Sequence, residues 1–255
     1  MEGGHMTSEL VPWTTDVDAV ALAPRRSVEG QAARRHGRDT RSAPIALFPA
    51  APVPRPSGPY VRFVKPVVDR VVASVVLVLA ALPMLVVAGV VALSMGRPVL
   101  FKQRRVGLDG QEFEVLKFRT MRPDRRGQRL DVIHDRRRTH KSDGDPRHTA
   151  VGRFLRRASL DELPQLFNVL HGEMSIVGPR PELVTVVQQY PPALHQRHHV
   201  RPGLTGLWQV SARGSGPMHE NGQWDLAYVQ RVSLRTDLRI MAKTPSAIIG
   251  ENSGS

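Results

Sequence analysis

Residues 159–181 read Ser-Leu-Asp-Glu-Leu-Pro-Gln-Leu-Phe-Asn-Val-Leu-His-Gly-Glu-Met-Ser-Ile-Val-Gly-Pro-Arg-Pro. An adjacent acid pair, Asp161 and Glu162, precedes an arginine, Arg180, held between Pro179 and Pro181. These residue types suit phosphate chemistry. An aspartate with an ordinary pKa of about 3.9 is ionised at neutral pH and is a nucleophile without help from a base. A neighbouring glutamate can hold a metal, and an arginine on a stiff loop can neutralise phosphate oxygens with little loss of entropy. The same stretch has a structural reading. Ser159-Leu160-Asp161-Glu162 is a capping-box pattern, in which Glu162 pairs only with a backbone N–H and Asp161 only favours the helix dipole. Pro164 shifts the balance: it cannot donate in a continuing helix, so the acids lie at a break, where free N–H groups can receive phosphate.

Further basic side chains surround this stretch. Lys117 and Arg119 alternate with apolar neighbours, a pattern that also fits the solvent face of a strand. His195, His198 and His199 have a metal-like look, but their spacing does not continue into a zinc pattern, and they are read as surface residues. Asp143-Gly144-Asp145 would be the metal site of a membrane-associated nucleotide-sugar glycosyltransferase, the competing enzymatic reading. Asp-Gly-Asp-Pro is as readily a turn, and no nucleotide-binding parallel sheet is indicated around it.

Charge and composition narrow the partners. Against 23 Asp and Glu stand 36 Lys and Arg, a formal net charge of +13, which points to nucleic acid, an acidic membrane surface or a phosphorylated substrate. With 3 Trp and 3 Tyr and no recognised nucleic-acid motif, base stacking is disfavoured, which also weakens a non-enzymatic basic binding protein. The absence of cysteine excludes disulfides, thiolate catalysis and cysteine-based metal sites. A length of 255 residues suits one catalytic unit with appendages.

The elements that must position the acids divide the chain in three. Residues 1–58, rich in Ala, Pro, Arg and Ser, are expected to form a disordered basic tail. Residues 59–98 hold a membrane segment: Val71 to Met95 carries no charge and is long enough to cross a bilayer. Pro83 lies near its middle and predicts a membrane break. Arg62, Lys65 and Arg70 precede the run, and Arg97, Lys102, Arg104 and Arg105 follow it. Basic flanks on both sides predict a re-entrant helix-break-helix whose ends share the cytoplasmic side. Residues 99–255 form the catalytic domain, with short strands at 99–101 and 112–118 in a hairpin around Gly107–Gly110 and a mobile polar loop over 122–149. Helices are expected through 151–155 and the acid pair, at 183–190, and at 226–241. In the last, Leu226, Val229, Val232 and Leu234 among arginines suit an interfacial amphipathic helix as well as one packed on a core. The fold class is α+β, mainly helical.

Gln103 to Gly107, Lys117 to Met121, Gly152 to Arg156, Ser159 to Asn168, Ser175 to Pro181, Arg201 to Val210 and Asp225 to Val229 follow one another in order behind Lys65 to Asp69. In these motifs the chain resembles the bacterial sugar transferases, the monotopic polyprenyl-phosphate phosphoglycosyl transferases, over roughly residues 62–250. The resemblance implies transfer of a sugar 1-phosphate from a UDP-sugar to a membrane polyprenyl phosphate, releasing UMP, through a covalent aspartyl phosphosugar. Asp161 would be the nucleophile and Glu162 the ligand of Mg2+. Lys117, Arg119, Arg180 and Arg201 would contact phosphate, and Asp225 matches a further acidic position of the site. The implied location is the cytoplasmic face of the bacterial inner membrane. The implied partners are the UDP-sugar, the polyprenyl phosphate, an anionic membrane and no nucleic acid, with a homo-oligomer left open. Leu82-Pro83 stands where the family often has Ser-Pro.

Overall fold

A computed structural model describes residues 52–122, 147, 149–211 and 222–250, for 249 and 250 the backbone alone. Residues 1–51, the 123–146 stretch and Asp143-Gly144-Asp145 lie outside the described residues, and with them most of the expected tail and loop. The end of the expected tail does have a place. Val53 is buried with its N–H donating to the Gln196 side chain, and Arg55 pairs with Asp109 at 2.7 Å.

A short π-helical turn, Tyr60–Val64, leads into α1, Lys65–Met95, a helix of 31 residues. Pro66 sits in its first turn, where the missing N–H costs nothing, and Gly96 ends it at φ 74°, a conformation open to glycine. Between these signals, Val, Leu and Ala make a segment long and apolar enough to cross a membrane. The helix is assigned without interruption through Pro83. The expected division into two helices is therefore not seen in the secondary structure: the proline removes one donor, and the long flanking runs carry the helix past it.

Both ends of α1 are built into the same body. At its start Lys65, Asp69 and Ala73 are buried; near its end Val91 is buried against Phe118 and Leu155. Between them Val78, Leu79, Leu82, Leu85 and Val86 are exposed. The start is tied by charge as well as packing. Lys65 Nζ donates to Asp237 at 2.6 Å and to the Val177 carbonyl at 3.0 Å. Tyr60 and Tyr228 donate their hydroxyls to the same Asp237 carboxylate at 2.7 and 2.8 Å. Asp69 accepts from Ser175 Oγ at 2.8 Å and from the Ile176 N–H at 3.1 Å.

The sheet behind the site has three strands. Strand β1 (Leu100–Val106) pairs antiparallel with β2 (Glu112–Phe118), from Leu100 opposite Phe118 to Val106 opposite Glu112. The turn between them holds Asp109 in the left-handed region at φ 54°. The hairpin is as expected, but β1 runs to Val106, well past Phe101, because β2 pairs with it residue by residue to the turn; β4 (Glu182–Leu183) pairs with Arg105 and Val106 on its other edge. A second, parallel pair joins β3 (Ser175–Val177) to β5 (Gly203–Thr205). There a Cβ on Gly203 would collide with the Gly178 backbone, so the two chains can approach only with glycine.

Helix α2 (Ala150–Arg157) is capped by Thr149, whose Oγ1 accepts the Gly152 N–H at 2.9 Å. Helix α3 (Gln165–His171) ends at Gly172 with φ 78°. Then follow α4 (Val184–Val187), α5 (Leu207–Ser211), α6 (Gly222–Gln230) and α7 (Leu234–Gly250). The helix expected over 183–190 is the short α4. The one expected over 226–241 is two, because Ser233 starts a new helix by accepting the Thr236 N–H at 3.2 Å. Of the two readings of this apolar face, Leu226 and Val229 take the core one at 1% exposure each, whereas Leu234 and Leu238 are exposed beside Arg235 and Arg239.

Candidate functional site

The acid pair occupies a 3-10 turn, Leu160–Glu162, between α2 and α3. Ser159 enters it at φ 55° and makes no side-chain capping bond. A non-glycine residue in this region stores strain on the order of 1 kcal/mol. The capping box is thus not formed, and Glu162 faces cations instead. Its Oε1 accepts Lys117 Nζ and Arg180 Nη2, each at 2.7 Å, while Oε2 meets Arg180 Nη1 at 3.4 Å.

The two acids have opposite electrostatics. Burial pushes Glu162 up, but Arg180 and Lys117 outweigh it and hold its carboxyl well below the usual carboxylate range. Asp161 is 8% exposed, and among the described residues no ion pair holds it. Burial first, and the Glu162 charge second, push its carboxyl up to about 6. The result is one permanently charged acid locked between cations, beside a second whose charge is only partly offset at a distance.

Separate elements bring these groups together. Lys117 sits near the end of β2. The free edge of that strand is closed by Asn168 on α3: the Asn168 carboxamide accepts the Leu116 N–H at 3.0 Å and donates to the Glu114 carbonyl at 2.7 Å. One buried side chain therefore fixes the strand carrying Lys117 against the helix that follows the acids. Arg180 projects from the turn after β3, and its guanidinium is held up in pKa chiefly by Glu162.

Of the residues singled out in the sequence, Asp161, Glu162, Lys117 and Arg180 are gathered at one place. Arg119 donates to the carbonyls of Met95 and Pro98, at the end of α1. Arg201 Nε donates to the Gly172 carbonyl at 2.7 Å, and Arg70 to the Leu170 carbonyl at 3.4 Å, so both guanidinium groups sit at the negative end of α3. Asp225, at 2% exposure, is paired with Arg197 at 2.5 Å. His198 is buried, contrary to its surface assignment, and burial, with Arg197 next, pushes its imidazole down to about 3. Among the described residues no three metal-ligating side chains cluster, at the histidines or elsewhere. Sequence reasoning gave no role to Arg197 or Asn168. Asn168 lay inside a quoted motif, which was the available signal; Arg197, in a polar run of glutamine and histidines, gave none.

The model of the family "Bacterial sugar transferase" matches residues 60–251. Exopolysaccharide production protein ExoY of Sinorhizobium fredii is 41% identical over 221 residues, 82% of this chain and 95% of the relative. A UDP-glucose:undecaprenyl-phosphate glucose-1-phosphate transferase of Caulobacter vibrioides is 41% identical over 217 residues, covering 82% of this chain and 77% of that protein. A protein of the same name from Xanthomonas campestris pv. campestris is 41% identical over 203 residues, 75% of this chain but 40% of the relative. The chain belongs to the bacterial sugar transferase family and is a phosphoglycosyl transferase.

Proposed function

We propose that the chain transfers a sugar 1-phosphate from a UDP-sugar to undecaprenyl phosphate, releasing UMP, on the cytoplasmic face of the bacterial inner membrane. The carrying observation is the contrast within the acid pair: among the described residues no cation is bonded to Asp161, while Glu162 holds two. The relatives named as UDP-glucose:undecaprenyl-phosphate glucose-1-phosphate transferases supply the reaction class and make UDP-glucose the first donor to test.

The residues divide the work. An ionised Asp161 oxygen attacks the sugar-bearing phosphorus; the anhydride P–O bond breaks, and UMP leaves with its electron pair. The acceptor phosphate then attacks the same phosphorus, the bond to Asp161 breaks, and the carboxylate is restored. Two steps suit a soluble donor and a lipid acceptor that need not share the site. Lys117 and Arg180 lie where an incoming diphosphate can take them from Glu162, moving positive charge onto the oxygens that gain negative charge. The donor set is compatible with Mg2+, a cation content with one or two carboxylates when phosphates supply the rest. Glu162 would hold it, chiefly through the less occupied Oε2, and it would supply charge neutralisation across the diphosphate.

The membrane course follows from α1. Its two ends are seated in one catalytic body, with exposed apolar residues between them and basic residues on both flanks. A straight crossing would separate partners that are packed together, which supports a segment that enters and returns, with Pro83 as the point of bending inside a helix that is otherwise continuous. The test uses UDP-glucose labelled in the sugar, without acceptor: the protein should retain a sugar phosphate on the peptide holding Asp161 and release UMP. Release of UDP, or an adduct elsewhere, overturns the reading.

A further inference from the structure

The loop carrying Arg180 is unusual in how it is held. Pro179 and Pro181 have no N–H, so the residues around Arg180 are fastened chiefly through their carbonyls. The Pro179 carbonyl accepts the Gly203 N–H at 2.9 Å, and the Pro181 carbonyl accepts Arg105 Nη1 at 3.2 Å. The Arg180 carbonyl accepts Arg197 Nη2 at 2.7 Å. Arg197 is 2% exposed, its Nη1 donates to the Tyr190 hydroxyl at 3.0 Å, and Asp225 Oδ2 pairs with the same Nη2 at 2.5 Å.

A buried ion pair is a poor way to gain stability, since apolar residues of the same volume often do as well or better. What this pair supplies that apolar side chains cannot is a directed N–H. It points that donor at the backbone of the arginine whose guanidinium holds Glu162 at 2.7 Å. We propose that Arg197 and Asp225 are positioning residues for Arg180: Asp225 orients the Arg197 guanidinium, Arg197 fixes the Arg180 carbonyl, and the Arg180 guanidinium is thereby aimed at the acid pair and the substrate phosphates. Asp225 acts through two other side chains and does not touch substrate. The role in turnover rests on the reaction proposed above, whereas the strut itself does not.

The experiment uses the full chain in membrane-mimetic discs, with Asp225→Asn, Arg197→Lys, Arg180→Ala and the double variants of each with Arg180→Ala. Two readouts are taken: UMP release as separate kcat and KM values, and amide hydrogen exchange of the peptide covering 178–183. In the wild-type background, Asp225→Asn should lower kcat about ten- to a hundredfold, the scale of one misplaced charge-assisted hydrogen bond. It should also speed exchange in the 178–183 peptide while leaving the β1–β2 hairpin as it was. In the Arg180→Ala background the same change should cost less than about threefold, because the residue it serves is gone. Arg197→Lys keeps the charge but not the fork, and should show the same non-additivity if Asp225→Asn does not fold. Equal fold losses in both backgrounds would make Asp225 an independent substrate contact and overturn the proposal, as would unchanged exchange in the 178–183 peptide. If no UMP is released by any variant, the proposed reaction fails, and the exchange measurement still decides whether the strut exists.

Discussion

Two clusters of buried charge in this molecule use nearly the same groups to opposite ends. At the start of α1, Lys65 and the hydroxyls of Tyr60 and Tyr228 converge on Asp237, while Ser175 and the Ile176 N–H satisfy Asp69. Both carboxylates there are matched by donors, and the cluster fastens the long apolar helix to the body. At the acid pair, Lys117 and Arg180 both converge on Glu162, and among the described residues no cation is bonded to Asp161 beside it. A cluster whose carboxylates are all met by charged or hydroxyl donors is a clamp; one with a buried carboxylate that no cation neutralises holds a reactive group in place at some cost in stability.

The largest effect should come from removing the unmatched group. Asp161→Asn keeps volume and backbone but has no anionic oxygen, and turnover should fall by about 10^4-fold or more, the scale seen when a covalent nucleophile is lost. Steady-state UMP release checks it, and substantial remaining turnover would make the acid pair a structural turn. On the clamp side, Lys65→Met strands Asp237 in a buried site. Breaking one partner of such a pair costs about 3–5 kcal/mol, so the variant should melt far below the wild type. A melting point within a few degrees of wild type would mean the tyrosines alone satisfy the carboxylate.

The comparison sharpens within the arginines. Arg180→Ala should lower kcat about ten- to a hundredfold, since its guanidinium is at the acids. Arg119→Ala should stay within about threefold, because its bonds go to the Met95 and Pro98 carbonyls. Equal losses would return Arg119 to the substrate and would mean that the loop at the end of α1 moves during the reaction.

These arginines also show what a sequence can and cannot disclose. The acid pair, Arg180 between its prolines, the apolar run and the β1–β2 hairpin were legible because each is written in contiguous residues. Lys117 was legible as a strand residue with two readings, and only the tertiary fold brings it to Glu162. The length of β1 was hidden, since Lys102, Gln103, Arg104 and Arg105 look like a loop until β2 and β4 flank them. Burial of Arg197 was hidden for the same reason: the Arg180 carbonyl and Asp225 that justify it come from distant segments. Leu226 and Val229 carried a correct helical pattern but gave no means of telling a membrane from a protein core, because both are apolar surroundings.

A further effect tests the buried Asp161 carboxylate without any chemistry. In chelator, the folded chain should keep a proton on Asp161 up to about pH 6, whereas the unfolded chain releases it near the ordinary value of 3.8. Between these values the folded state binds more protons, so this group's contribution to stability is fully present below pH 4 and is lost as pH rises through about 6. Asp161→Asn is neutral throughout. Its melting temperature relative to wild type should therefore rise across that window and level off above it, a gain on the order of 1–3 kcal/mol at most. A helix-capping aspartate would do the reverse, since its ionised form is the stabilising one and its loss would cost most at neutral pH. A pH-independent difference, or a growing deficit for the Asn variant, would show that the Asp161 charge is neutralised in the folded chain and that the two clusters are not different in kind.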